Sequence, residues 1–395
     1  MFRSWSVVFC VMMTFGCSAS SRRDRHFSGP LMAAAGAVKI TPPIGINLGG
    51  YFSPGRKAEG IHDDLYARCL VIGTPNGPNI AIVSVDLVGF LNYDVMAISN
   101  EVGITTAICS THTHSGPDTI GIFGGRDEKY LEEVREKIAA LIKETDSRLE
   151  PANIYFYKSD GSGLSKNWKE PDVLDTEIDV LLVKGKENTI ATWVNFGCHP
   201  EAVGKANQIT ADFPGYLVKK IEKESGGVAF FTNGLLGGMV SIDTGNLENR
   251  QKGFELAREF GEKLADRVLA VGNAPPLDVR MIRRSGISVE VPVDNALIKY
   301  LIGRDQIQTL VAGLALGPLK IIFVPGELSP SLGLKFKSDP ETMLVCLAND
   351  EIGYILPEEK FHSEIFENER RKSLGQKTGT IISEKIRWIL KDLQQ

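Results

Sequence analysis

The sequence predicts an α/β fold, with mixed β-sheets flanked by helices in a single large domain. Three observations predict it. Short apolar runs of strand length alternate with amphipathic helical stretches. The 40 glycines and 19 prolines supply turns at a density that suits sheets better than a helical bundle. No break in composition divides residues 36–395, and no internal repeat is visible in them.

The elements follow in chain order. Val38–Ile40, Leu65–Ile72 and Ile80–Val85 read as strands, and Pro75-Asn76-Gly77-Pro78 closes the last two into a hairpin. Thr105–Ser110 is the next strand. Tyr130–Thr145 is a helix with Leu131, Val134, Ile138 and Leu141 on one stripe. Ile154–Tyr157, Ile178–Val183 and Ile190–Phe196 are strands, the last two a hairpin through Gly185-Lys186. Asp212-Phe213-Pro214 starts a helix, with Asp212 as its cap. Val228–Phe231 is a strand. Phe254–Leu269 is a helix with Ala257, Phe260, Leu264 and Val268 inward. Leu319–Val324 and Met343–Leu347 are strands, and Ile381–Leu393 is the closing helix.

Arg3 precedes an apolar run from Trp5 to Phe15, followed by Gly16-Cys17 and a Ser-rich stretch. The run is too short to span a bilayer and suits a signal peptide over residues 1–17. Gly16-Cys17 has the small-residue-then-Cys form of a bacterial lipoprotein cleavage site. A lipidated Cys17 on the cell envelope and a plain cleaved signal peptide, with a secreted or periplasmic product, are the two expectations. Residues 18–35 read as a linker. The net charge of -5 divides into +3 over the first 28 residues and -8 beyond. That acidic body has no polybasic footprint, which excludes nucleic acid as a partner. Cys69, Cys109, Cys198 and Cys346 lie in or beside apolar runs without CxxC spacing, and are expected to be buried free thiols rather than zinc ligands.

Histidine is scarce: His26, His62, His112, His114, His199 and His362. His112 and His114 stand in Thr111-His112-Thr113-His114-Ser115-Gly116-Pro117, directly after a strand. Extended backbone would place both on one face. One metal could be gripped by both, or one could bind metal while the other faces substrate; a hydrogen-bonded pair at a turn is the bland alternative. His199 also follows a strand, in Gly197-Cys198-His199-Pro200-Glu201. Asp86, Glu327 and Tyr354 each follow strands and could complete a mixed nitrogen and oxygen set of the kind zinc takes, with a position open for water. Ser241, after Gly237-Gly238-Met239-Val240, carries no local nucleophile motif and reads as a loop serine.

Taken in order, these blocks resemble the catalytic N-terminal domain of the neutral/alkaline non-lysosomal ceramidases. The resemblance runs from about Gly36 to Glu367. It rests on Gly60-Ile61-His62, Ser84-Val85-Asp86-Leu87, the Thr111–Pro117 block, Phe196–His199 and Ala211–Gly215. It continues through Asn233–Ser241, Pro325-Gly326-Glu327, and Leu347-Ala348-Asn349 through Tyr354 to Pro357-Glu358-Glu359. The Thr111–Pro117 and Leu347–Glu359 blocks are the specific ones.

The resemblance implies zinc-dependent hydrolysis of an N-acyl amide, in ceramide or a related lipid-like small molecule. It implies His112, His199, Glu327 and Tyr354 as metal ligands, and His114, Tyr354 and Ser241 as catalytic groups. Residues 36–395 would be the hydrolase domain. Asp86 is expected to orient His112 or His114. Met239 and Ile242 stand where the family has an acid and a proline, and Lys169 is the candidate for a missing family arginine. Two alternatives are a zinc hydrolase of another exported amide or ester, and a non-catalytic surface binding protein that keeps the fold.

Overall fold

The computed structural model describes residues 30–51, 55–75, 77–242, 250–270 and 274–394. The signal-peptide reading of residues 1–17, Cys17 included, lies outside them. Four strands make each of three sheets. The first holds β1 (Met32–Lys39), β2 (Tyr66–Gly73), β3 (Ile80–Val85) and β4 (Thr105–Ser110). The second holds β5 (Asn153–Asp160), β6 (Glu177–Lys184), β7 (Thr189–Phe196) and β8 (Val228–Asn233). The third holds β9 (Ile282–Pro292), β10 (Gln306–Leu316), β11 (Leu319–Phe323) and β12 (Thr342–Val345). Glu150–Pro151 adds a two-residue edge to the first.

All three sheets have one topology. The first three strands form an antiparallel meander in chain order, and the fourth lies parallel to the third. A parallel neighbour requires a crossover. It is made by α1 (Asn92–Val102) in the first unit, α3 (Phe213–Ser225) in the second, and short turns over Pro330–Gly333 and Leu334–Phe336 in the third. An amphipathic helix then ends each unit: α2 (Glu128–Asp146), α4 (Arg250–Leu269) and α6 (Thr378–Asp392). The expectation of no internal repeat is thus corrected. The repeat is one of topology, and strands as different as IAIVSV, TIATWVNF and LKIIF occupy the same place in it.

The inner faces share one core, in which Ile80 and Ile82 meet Trp193, Phe230, Ile321 and Val345. The outer faces are covered by each unit's own helices, so Ala81, Val83 and Val85 pack with Leu131, Val134 and Ile138. Strands buried on both faces read as continuous apolar runs, which is why they are legible in the sequence. Polar ties cross between sheets. Ser84 Oγ of the first sheet donates to Phe231 O of the second at 2.6 Å, while Trp193 Nε1 donates to Thr232 Oγ1 at 2.7 Å between β7 and β8 of the second sheet. Lys337, almost fully buried, joins Asp175 (2.8 Å) and Asp179 (3.1 Å).

The fourth strands meet at their free edges. Ser110 N donates to Leu347 O, Cys346 N to Asn233 O and Asn349 N to Ile108 O. This satisfies edges that would otherwise be open, and it brings the carboxyl ends of three strand pairs to one place. The boundary of the linker moves. β1 starts at Met32, so Met32–Ala35, read as linker, pair with Gly73–Leu70 of β2. The hairpin β9–β10 and helix α1 are additional to the predicted elements. The four thiols are buried and free, as expected, and Asp212 caps α3 by accepting from Phe213 N at 2.7 Å.

Candidate active site

The strand ends deliver the candidate residues to one buried cluster. His112 follows β4, His199 follows β7, Glu327 follows β11, and Tyr354 comes from the loop after β12. Glu327 is the hub. Its Oε2 lies 2.8 Å from His199 Nε2 and its Oε1 3.7 Å from His112 Nε2. The Tyr354 hydroxyl lies 3.4 Å from His199 Nε2 and donates to Met239 Sδ at 3.8 Å. The rings of His112 and His114 stand 4.9 Å apart, and those of His112 and His199 5.2 Å. One ligand atom from each of these three histidines falls within 4.8 Å of the others.

His112 and His114 converge by a route the spacing rule did not foresee. His112 has φ of 69°, so the extended, same-face arrangement does not hold. The left-handed turn instead swings its ring so that Nδ1–H donates to Val88 O at 2.5 Å. His199 is held likewise, with Nδ1 donating to Val240 O at 2.8 Å. Each carbonyl takes the Nδ1–H and so points Nε2 at the cluster, the orientation metal-binding imidazoles need. His114 is seated by Gly50, whose φ is +93° and at which a Cβ would fall 2.4 Å from the His114 ring.

Asp86 does not orient either histidine. Its carboxylate accepts from Tyr66 N and Arg68 Nη1, both at 2.9 Å, and backbone carbonyls do the orienting instead. Lys169 is paired with Glu369 at 3.3 Å rather than with the cluster. His62 stacks on Phe254 and His362 contacts Gln376, both away from the centre. Ser241 is buried beside His199, with which it shares a parallel bridge. Its Oγ accepts from Trp168 Nε1 at 3.1 Å and donates to Ile242 O at 3.2 Å.

Three site features are additional to the sequence reading. Glu201 lies 3.6 Å from His114 Nδ1 and also bonds Ser241, joining two predicted residues. Lys372 lines the wall beside Tyr354, its Nζ 5.7 Å from the ring centroid. The third is a cavity of about 540 Å³, walled by His112, His114, Glu327 and Tyr354 on one part, by apolar side chains on another, and by charged groups such as Arg126, Arg304, Asp350 and Glu351 on the rest. The short helix α5 (Ala296–Ile302) contributes Leu297, Ile298, Leu301 and Ile302, with Ile122 and Phe123 from a loop.

The electrostatics fit a cation. Burial pushes His112 down to about 4 and His114 well below the usual imidazole value, so both are neutral ligands or donors. Burial opposes the charge on Glu327, but His112 and His199 outweigh it and hold the carboxylate below its ordinary range. Burial and the neighbouring Glu327 raise the Tyr354 phenol well above its ordinary value. His199 goes the other way: burial opposes its charge, but its hydrogen bond with Glu327 outweighs that and raises it above the usual imidazole value. Three imidazoles, a carboxylate and a phenol are a hard and borderline donor set.

These features define an α/β protein with a buried histidine–carboxylate centre, able to hold a metal, beside a cavity that is apolar on one side. No family model matches the chain. In sequence it is 24% identical to neutral ceramidases from Drosophila pseudoobscura pseudoobscura (232 residues; 50% of this chain, 33% of the relative) and Drosophila melanogaster (231 residues; the same shares). A neutral ceramidase from Oryza sativa subsp. japonica is 24% identical over 177 residues. The matched region is thus about a third or less of these relatives' length. In fold, neutral ceramidase from Pseudomonas aeruginosa superposes with a TM-score of 0.78 at 17% identity, over 93% of this chain and 75% of that one. A ceramidase complexed with C2 gives 0.76 at 17% identity, over 90% and 74%. The chain is similar to the neutral ceramidases in sequence and shares their fold.

Proposed function

We propose that this protein is a zinc-dependent amidohydrolase that cleaves an N-acyl amide in a lipid-like molecule, ceramide or a near relative of it. The observation that carries the reading is the buried His112–His199–Glu327–Tyr354 cluster beside a cavity of about 540 Å³ that is apolar on one side. The apolar part of that cavity, lined by Leu297, Ile298, Leu301, Ile302, Ile122 and Phe123, suits an acyl chain. The similarity to neutral ceramidases supports the same substrate class.

His112, His199, Glu327 and Tyr354 would hold the zinc, which when bound supplies a Lewis acid and lowers the pKa of water. The chain's own residues do the rest. Val88 O and Val240 O hold the two imidazoles in the ligating tautomer. His114, in the cavity wall and kept neutral by burial, donates a hydrogen bond to the amide oxygen as charge gathers there. Glu201 connects His114 to Ser241. The apolar wall from α5 holds the chain of the acyl group and keeps bulk water off the reacting bond. The net reaction adds water across the C–N bond, giving a carboxylic acid and an amine. Export through residues 1–17 belongs to the same proposal, and the mass of the mature N-terminus reads it.

The test is a panel of ceramides, short N-acyl amides and simple esters, assayed with zinc. Turnover of long-chain amides is expected. Turnover of esters alone would move the assignment to an esterase, and no turnover by zinc-loaded protein would favour a binding protein.

A further inference from the structure

We propose that Trp168 is a positioning residue of this centre, its indole N–H setting the orientation of the Ser241 hydroxyl. The inference rests on the amide-hydrolysis reading, in which Ser241 acts, and names a residue that reading lacks.

Three observations lead to it. The first is a hydrogen bond with a fixed direction. Trp168 Nε1 lies 3.1 Å from Ser241 Oγ. An indole nitrogen donates and cannot accept, so Oγ is the acceptor in this bond. The hydroxyl proton is thereby turned away from the indole and toward its own acceptors, Ile242 O at 3.2 Å and the Glu201 carboxylate.

The second is that the backbone delivers the indole to the serine. Lys166 and Asn167 pair antiparallel with Ser241 and Val240, and Trp168 N donates to Met239 O at 3.1 Å. Asn167 clamps the turn that follows. Its Oδ1 accepts from Lys169 N and Glu170 N, both at 3.0 Å, and its Nδ2 donates to Val173 O at 2.8 Å. Glu170 then ties the segment to Lys360 and Ser331. Lys169, next in the chain, turns to Glu369 at 3.3 Å, so the indole is the donor this segment presents to Ser241.

The third is that burial does not account for the ring's place. Trp168 is 45% exposed, while Ser241 is 2% exposed. A half-exposed indole gains little from the hydrophobic effect. It is held instead at its N–H edge by Ser241 and over its face by Lys166, whose Nζ stands 3.2 Å from the ring centroid. A bond that orients a hydroxyl acts on the geometry of the reacting groups and not on the grip on substrate. Its loss should therefore appear in kcat rather than in KM.

The experiment compares wild type, W168F, W168H, S241A and the W168F/S241A pair, each zinc-loaded, on a long-chain N-acyl amide. Zinc content, Tm and the indole N–H signals by NMR are read alongside. W168F keeps an aromatic ring and loses the N–H. It should lose about 10- to 100-fold in kcat with KM nearly unchanged, and W168H, which keeps a ring N–H, should recover part of it. In the S241A background W168F should cost less than about 2-fold, because the group it acts through is gone. The indole signal that is absent from W168F should move in S241A. Wild-type kcat in W168F, the same loss with and without Ser241, or an indole signal that ignores S241A would overturn the Trp168 assignment and leave the amide reading standing. Loss of zinc or Tm in W168F and W168H alike would make Trp168 structural and overturn it too. A wild type inert toward every amide overturns the amide reading, and the role of Trp168 with it.

Discussion

Gly353→Ala tests whether the close packing of two loops holds the centre together. Gly353 has φ of +79°, and a Cβ built there lies 2.0 Å from the carbonyl oxygen of Lys372. Carbon and oxygen need about 3.5 Å, so one segment must retreat by roughly 1.5 Å. A left-handed backbone costs a non-glycine residue about 1–2 kcal/mol, and overpacking adds about 1–3 kcal/mol. Together they predict a loss of about 2–5 kcal/mol and a fall in Tm of roughly 4–10 °C. The larger effect is on the centre, because Tyr354 follows Gly353 directly and bonds Lys372 O through its own N–H. A misplacement of about 1 Å costs on the order of 100-fold in rate. The assays are thermal unfolding, zinc content and steady-state turnover of an N-acyl amide. A G353A protein with wild-type Tm, zinc content and turnover would refute the argument that this contact positions Tyr354.

Three further outcomes are expected. Lys337→Met leaves Asp175 and Asp179 buried without their main cation, since Lys158 is 3.6 Å from Asp179; denaturant unfolding should show a loss of about 3–5 kcal/mol. Burial raises Asp350 from 3.8 to about 6. The folded state therefore holds a proton that the unfolded state releases, and stability is full below pH 3.8 and declines as pH rises through about 6; unfolding of Asp350→Asn should show a flatter profile in that window. His114→Ala should lose about 100- to 1000-fold in kcat with zinc retained, and a Ser241→Ala loss larger than that would identify attack by the serine, while a smaller one would identify support through Glu201.

Much of the framework was legible because the strands are buried on both faces. Thr105–Ser110 and Ile80–Val85 were read with the boundaries the structure has, and the strand-end positions of His112, His199 and Glu327 follow from them. β9 was not, because its burial alternates and exposed positions such as Glu290 interrupt the apolar signal. The threefold topology was hidden because a meander and crossover can be built from unrelated residues. His112 joins the cluster through a positive φ, which no spacing rule encodes. The apolar cavity was invisible for a different reason: its walls come from Ile122, Leu297 and Ile352, segments far apart in the chain that only folding assembles. Lys372 likewise lies outside every motif, and its place is set by a backbone contact to Gly353.

The central claim is that His112, His199, Glu327 and Tyr354 hold a catalytic zinc, and elemental analysis tests it most directly. Purified wild type should carry one zinc per chain, and the His112→Ala/His199→Ala double variant should carry almost none while staying folded. Full zinc occupancy in that double variant, or a wild type that takes up no zinc, would contradict the account.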